Sequence, residues 1–566
     1  MKNKCNSCKL LVVPLLLFFF VTAKSQTQKQ YFNIHKEVPG QPYKAPSPNR
    51  ETTPGYRSAT NLYFTVQVNV DSDGNNIEHD AANEPSIAIN PNNPDIMVIG
   101  WRQFDNISSD FRQAGYAYTT DGGHNWTFPG VIEPGVFRSD PVLGFDENGK
   151  FYYNSLTADQ YNNFLCKVFR STNGGQTWDN GVNAKGGDKQ WMIIDGTGGM
   201  GNGNIYAYWT AYYSSCYPGQ FTRSTDGGDS YENCVTVDGN PQWGTLAVGL
   251  NGDLYAAGVD GGANFVFSKS INAKDPTQPV TWLFTTYVDL GGYMQNASGP
   301  NPQGLKGQVW IASDTSNGAN RGNIYMLCSV KPQSSADPCD VMFVKSTDGG
   351  ETWNDPVRIN DDPVNSFSWQ WFGTMSVAPN GRIDVVWLDT RDNPGTYLSS
   401  LYYSYSLDGG ETWTVNQRIS DEFNPHAGWP QQQKMGDYFH MISLTNGAYL
   451  AWSNTLNGEQ DVYFTKIYSG FDNIAENNNL RISSLYNYPN PFNGKTTIHY
   501  TINKSGKIKI VVTDMFGKAI TTLADGFKHA GNHSLTWHTG DLPQGIYICK
   551  LSMGKNYSQT KLICIK

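Results

Sequence analysis

The sequence predicts an all-β chain, a β-propeller of four-stranded antiparallel units followed by a small β-sandwich. Three observations predict it. One turn signature recurs five times, a second Asn-Gly turn recurs out of phase with it, and the last 80 or so residues switch to a basic, alternating pattern. The composition agrees, with 58 Gly, 29 Pro, 16 Trp, 32 Tyr and 27 Phe among 566 residues. So many aromatics and Gly turns argue against a helical bundle, and 39% hydrophobic residues exclude a disordered chain. A net charge of −9 with only 16% charged residues argues against nucleic acid as a partner.

The first 25 residues read as an export signal. Lys2, Lys4 and Lys9 precede an apolar run from Leu10 to Val21, and Ala23-Lys24-Ser25 supplies small residues for cleavage. The run is too short for a spanning helix, so no transmembrane anchor is expected. An extended segment, 26–59, leads into the repeats. Seven cysteines remain after the signal. Proximity suggests the pairs Cys216–Cys234, Cys328–Cys339 and Cys549–Cys564 with Cys166 left over; buried free thiols are the alternative.

Residues 60–470 carry the repeats. The pattern S/T-x-D-G-G-x-x-W runs from Thr119 to Trp126, Ser171 to Trp178, Ser224 to Tyr231, Ser346 to Trp353 and Ser406 to Trp413. Its turn positions are Asp121, Asn173, Asp226, Asp348 and Asp408. The acid accepts backbone N–H groups, the Gly pair supplies positive φ, and the Trp packs back on the sheet. A double-length gap between Asp226 and Asp348 marks a degenerate copy over Phe265–Ser270 and Val280–Trp282. Turns such as Asn148-Gly149, Asn202-Gly203 and Asn251-Gly252 recur between them, and seven such turns favour seven blades, with six as the alternative. The last unit stops at Ile467 without a final strand, which Leu62–Val70 supplies to close the ring.

Strand alternation places both turn types on one face. The starts of first strands and ends of second strands then converge on the other, near the axis. Those positions hold Glu84, Asp140, Asp188, Gln190, Trp191, Gln242, Trp243, Gln308, Trp310, Gln370, Trp371, Asp437 and Tyr438, with Arg102, Asp389 and Arg391 from second strands. Trp faces stack on sugars, and amides and carboxylates bond hydroxyls, so an extracellular glycan or polysaccharide is the expected partner. Packing between blades is the alternative role for each Trp. Glu84, Asp140, Asp188 and Asp437 supply carboxylates for glycoside hydrolysis. Tyr438, His426, His440, Arg102 and Arg138 are the corresponding set for a polysaccharide lyase. An open axial pocket favours an enzyme and a plugged axis a scaffold. A protein-interaction propeller is a further alternative. No cofactor is expected; Asp71-Ser72-Asp73-Gly74-Asn75 with Glu78 has weak calcium-loop character, without the full spacing of such a loop.

The repeated turns resemble Asp-boxes, the turn motif of sialidase-like propellers. That resemblance implies an Arg triad, a Tyr nucleophile with a Glu base, and an Asp acid. Arg102, Asp105 or Asp110, and Tyr438 match some of these places. Sialidases carry Phe/Tyr-Arg-Ile-Pro at the first blade, however, where this chain has Glu84-Pro85-Ser86-Ile87. The missing Arg removes a bidentate carboxylate partner and disfavours a true sialidase.

A linker, 471–482, precedes the C-terminal segment, 483–566. That segment carries +7 and the signal +4, leaving −20 for residues 26–482. It opens with Tyr488-Pro489-Asn490-Pro491-Phe492, alternates through Lys507-Ile508-Lys509-Ile510, turns at Met515-Phe516-Gly517, and continues through Gly531 to Trp537 and Gly545-Ile546-Tyr547. These motifs resemble the type A sorting domain of the Bacteroidetes type IX secretion system. The resemblance implies passage through the periplasm, contact with the type IX machinery, and release or attachment at the outer cell surface.

Overall fold

The computed structural model describes residues 38–46, 50–469 and 482–565, apart from 503–504, 515–517, 541 and 555. The expected signal and, but for Ile482, the expected linker lie outside the described residues, as does the Met515-Phe516-Gly517 turn. The chain divides into two units between Ile467 and Tyr468.

In the first unit the repeats become antiparallel sheets whose strands follow chain order. The first sheet runs Ala81–Ile89, Met97–Phe104, Gln113–Thr119 and Thr127–Ile132. The second runs Ser139–Phe145, Phe151–Ala158, Phe164–Ser171 and Val182–Asn183. The third has Trp191–Ile194, Ile205–Tyr208 and Phe221–Ser224, with Val235 bridging its edge. The fourth sheet begins at Leu246–Val248, the fifth at Trp310–Ser313, the sixth at Gln370–Val377 and the seventh at His440–Leu444. Among the described residues, each of these first strands lies beside the first strand of the next sheet, and His440–Leu444 returns to lie beside Ala81–Ile89. The succession closes on itself, which is a propeller.

The closing strand comes from the N-terminal side. Tyr63–Gln67 pairs antiparallel with Asp461–Tyr468, placing Tyr63 opposite Ile467 and Val66 opposite Phe464. One blade is thus woven from both ends of the unit. Inner strands are covered on both faces by neighbouring blades, so Ala81–Ile89 is buried throughout rather than alternating.

The Asp-box turns join one sheet to the preceding one. In the fifth sheet Ser346 Oγ donates to Asp348 (2.7 Å), Gly350 N donates to Ser346 Oγ (2.9 Å), and Thr352 N donates to Asp348 (3.0 Å). The same bonds form around Asp121, Asn173, Asp226 and Asp408. In the fourth sheet Asn272 takes this place, accepting from Ser270 and Thr281, so the degenerate copy keeps the bonding without the sequence. Gly350 has φ +97°, and a Cβ there would lie 2.1 Å from Phe267 of the preceding sheet. Trp353 meets the same Phe267 edge-on. Gly410 and Trp413 close likewise on Phe343, and Gly123 and Trp126 on Phe464. The box Trp therefore clamps two blades as well as packing back on its own.

The second unit is a sandwich of two antiparallel sheets. One contains Ile482–Tyr488, Lys495–Ile502 and Gly531–His538; the other Ala519–Lys528, Gly506–Asp514, Gly545–Met553 and Asn556–Cys564. Lys507 and Lys509 face out while Ile508 and Ile510 face a core with Phe492 and Trp537, as the alternation requires.

Of the proximity pairs, Cys216–Cys234 is a disulfide. The other two are corrected: Cys328, Cys339, Cys549 and Cys564 are buried free thiols. Strand register explains this, because Cys549 stands opposite Thr560 and Cys328 opposite Met342.

Candidate functional site

One residue with positive φ stands at the start of each inner strand. These are Glu84 (50°), Asp140 (47°), Lys189 (54°), Trp243 (57°), Gly307 (128°), Phe372 (58°) and Gly436 (91°). The ladder slips at this point, between Asn83 and Ser86 in the first sheet and between Trp371 and Thr374 in the sixth. Such a bulge bends the strand and re-aims its side chain. A non-Gly residue held there costs about 1–3 kcal/mol, so the surrounding contacts must enforce it. Gly436 lacks that freedom of choice, since a Cβ would lie 2.5 Å from Glu84 Cγ.

The re-aimed side chains form a buried ion cluster, here called the hub. Lys189 Nζ lies 3.0 Å from Asp437, 3.2 Å from Asp188 and 3.6 Å from Asp140. Lys434 Nζ lies 2.7 Å from Asp437 and 3.6 Å from Glu84, whose other oxygen is 3.2 Å from Arg102 Nε. All seven residues are buried. Formally four carboxylates face three cations. Burial pushes the Glu84 carboxyl well up, against the opposing pull of Arg102 and Lys434. Burial also opposes ionisation of Asp437, yet Lys189, Lys434 and Arg102 hold its carboxyl well below the usual range.

A hairpin, Asn296–Ser298 with Asn301–Leu305, closes over one side of the hub. Leu305 N donates to Asp437 (2.8 Å), Asn301 Nδ2 to Gly436 O (2.8 Å), and Met435 N to Asn301 Oδ1 (2.8 Å). Lys306, also buried, donates to Asn301 O (3.0 Å), and burial lowers its ammonium pKa to about 8.

Beside the hub lies an aromatic cluster. Trp191 meets Trp310, Tyr438 and His440 edge-on at 5.0, 5.7 and 5.2 Å, and His440 stacks on Trp310. Tyr438 donates its hydroxyl to Pro141 O (2.7 Å), and burial keeps its phenol far from ionising. Burial pushes His440 down to about 3, and its Nδ1 accepts Ile87 N–H (3.2 Å). These rings pack on one another.

The remaining expected residues are distributed around the ring. Gln190 donates to the Asp140 carbonyl from inside the hub. Gln308 and Gln242 are buried at neighbouring strand starts, and Trp243 O accepts Val309 N (3.0 Å), tying the fourth sheet to the fifth. Gln370, Asp389 and Arg391 form a separate group in the sixth sheet. Gln370 donates to Asp389 (3.1 Å), Arg391 Nε pairs with Asp389 (2.8 Å), and burial raises Asp389 to about 6 despite Arg391. Trp371 donates to Ser399 (3.2 Å). Asp105 and Asp110 lie apart from the hub, accepting from Gln113 and from Gly40 N respectively. Arg138 pairs with Glu133, and His426 lies against Pro300 O (3.1 Å) of the hairpin. Asp71 spends its carboxylate on its own turn, accepting Asp73 N and Asn75 N (2.9 and 2.8 Å).

Sequence reasoning missed Lys189, Lys434 and Lys306. Acids, amides and aromatics at strand starts point to sugar chemistry, whereas a Lys there reads as a solvated charge because a fully buried Lys is rare. The signal present was Lys189 sitting between Asp188 and Gln190 in a register shared with Glu84 and Asp140.

Residues 486–566 match the secretion system C-terminal sorting domain. A 91-residue stretch is 36% identical to a sialidase from Paraclostridium sordellii, covering 14% of this chain and 22% of that protein. Thus the match spans only about a fifth of that relative. Among solved structures, a lectin from Burkholderia pseudomallei is similar with a TM-score of 0.43 and 13% identity, over 68% of this chain and 96% of that one. A Trypanosoma rangeli sialidase is similar with a TM-score of 0.35 and 11% identity, over 90% and 89%. The first unit is a β-propeller with repeated Asp-box turns, and the sorting domain marks the chain for type IX export to the cell surface or the medium. Among the described residues no helix is long and apolar enough to cross a membrane.

Proposed function

We propose that this exported propeller binds extracellular glycans at the hub end of the disc without turning them over. One observation carries the choice of binding over catalysis. The carboxylates that would do acid–base chemistry are matched by Lys189, Lys434 and Arg102 and covered by the Asn296–Leu305 hairpin. Groups so engaged hold blades together and do not reach a substrate. The local likeness to a sialidase supports a glycan as the ligand. Calorimetry of the full chain against neutral, uronate-containing and sialylated oligosaccharides tests the reading. Saturable heat from at least one class is expected, and none from any class contradicts it.

A second reading, a glycan hydrolase or lyase, has one observation of its own. Glu84 is pushed up and Asp437 held down, the divergence that separates a general acid from a base. That reading requires the hairpin to open, and sustained product formation is its signature.

A further inference from the structure

Four exposed tyrosines gather on the second and third sheets. Tyr161, Tyr212, Tyr213 and Tyr217 are 76, 39, 52 and 64% exposed. Their two loops are joined backbone to backbone, Phe164 N donating to Tyr213 O (2.7 Å) and Ser215 N to Phe164 O (2.9 Å). The Tyr212 and Tyr217 rings lie 6.0 Å apart, and Tyr213 stands edge-on to Phe164.

The loops are held, not loose. Cys216–Cys234 pins the longer one, and Ser214 Oγ ties it to Gly186 O (2.6 Å). Asp159 fixes the shorter one by accepting Tyr161 N and Asn163 N (2.8 and 2.9 Å). Both follow second strands, at the hub end of the disc, and Thr210 N donates to the carbonyl of the hub residue Asp188 (2.9 Å). A rigid aromatic shelf therefore extends outward from the hub.

Its chemistry selects a ligand. Residues 209–222 and 160–166 contain no charged side chain, although residues 26–482 carry −20 overall. An anionic partner is repelled by that field, and Asp159, the acid that borders the shorter loop, is already engaged by Tyr161 N, Asn163 N and Asn163 Nδ2. Tyrosine offers an apolar ring face and a hydroxyl tip, which suits a ligand with one C–H face and a rim of hydroxyls. We infer that Tyr161, Tyr212, Tyr213 and Tyr217 form a platform for an uncharged oligosaccharide chain, whose sugar rings stack on the tyrosines. The inference rests on the glycan-binding reading above and gives it a surface and a ligand class.

The test is calorimetry on the full chain with cellohexaose, xylohexaose and mannohexaose as uncharged probes. A galacturonate hexamer and sialyllactose serve as anionic ones. At least one uncharged probe binds, and Tyr213→Ala and Tyr217→Ala each weaken it about 3- to 10-fold with an unchanged melting temperature. Tyr217→Phe, which keeps the ring, retains most of the affinity. Uncharged binding that ignores both Ala variants overturns the platform and leaves the glycan reading standing. Binding of anionic probes alone does the same. No binding by any probe overturns both.

Discussion

Lys189 and Asp437 meet at 3.0 Å, although they belong to the third and seventh sheets. Glu84 and Asp140 of the first and second sheets stand within the same cluster. The ring is thus tied at its axis by charge as well as at its rim by Tyr63–Gln67.

Removing that cation tests the arrangement. Lys189→Met leaves Asp140, Asp188 and Asp437 buried with their shared partner gone, and the expected loss is about 3–5 kcal/mol. Urea unfolding measures it. A loss under about 1 kcal/mol would mean that the hub relaxes without its lysine.

Acid stability carries a second signature. Burial lowers His440 to about 3, while an unfolded His titrates near about 6.5. The unfolded chain therefore binds the proton first, so this contribution is full above about pH 6.5 and is lost as pH falls toward 3. Its slope is at most about 1.4 kcal/mol per pH unit. Asp389, raised to about 6, acts with the opposite sign, its contribution being lost as pH rises through that value. His440→Gln should flatten the fall of the urea midpoint between pH 6.5 and 5 relative to the native chain. Parallel profiles would place the His440 ring in contact with water.

The Asp-box glycines separate backbone freedom from close packing. Gly349 has φ +80° and its nearest neighbour is Lys269 Nζ at 3.3 Å, the end of a flexible side chain. Gly349→Ala should cost about 1–2 kcal/mol for the left-handed backbone alone. Gly350→Ala adds collision with Phe267 and should cost about 2–5 kcal/mol. Equal losses in the two variants would show that the turn does not clamp the preceding blade.

Thiol chemistry checks the cysteine assignment. Alkylation in denaturant without reductant should label Cys166, Cys328, Cys339, Cys549 and Cys564 and spare Cys216 and Cys234. Reduction should then lower stability by about 3 kcal/mol, the value for a closed loop of this size. Peptide mapping that finds Cys328 joined to Cys339 would contradict the structure.

Much of the fold was legible because it rests on local chemistry. The Asp-box needs its acid, hydroxyl and glycines within a few residues, and even the degenerate copy at Ser270–Asn272 betrays itself by spacing. The missing strand after Ile467 was legible by counting. The hub was legible only in outline. Glu84, Asp140, Asp188, Arg102 and Asp437 converge as the blade register requires, but Lys434 arrives from the segment before the seventh sheet and the covering hairpin from the segment before the fifth. Neither has a local signature, since both are set by tertiary closure. Trp191 and Trp310 show the same limit, because only the assembled ring reveals that they pack against each other and His440.

If the hub carboxylates serve structure alone, glycan contact happens without turnover. Incubating the full chain with the glycan it binds, and following reducing ends together with the ultraviolet absorbance of unsaturated uronates, tests it most directly. The expected signal is no greater than that of a heat-unfolded control. Sustained product release that is abolished in Asp437→Asn, with binding retained, would contradict it.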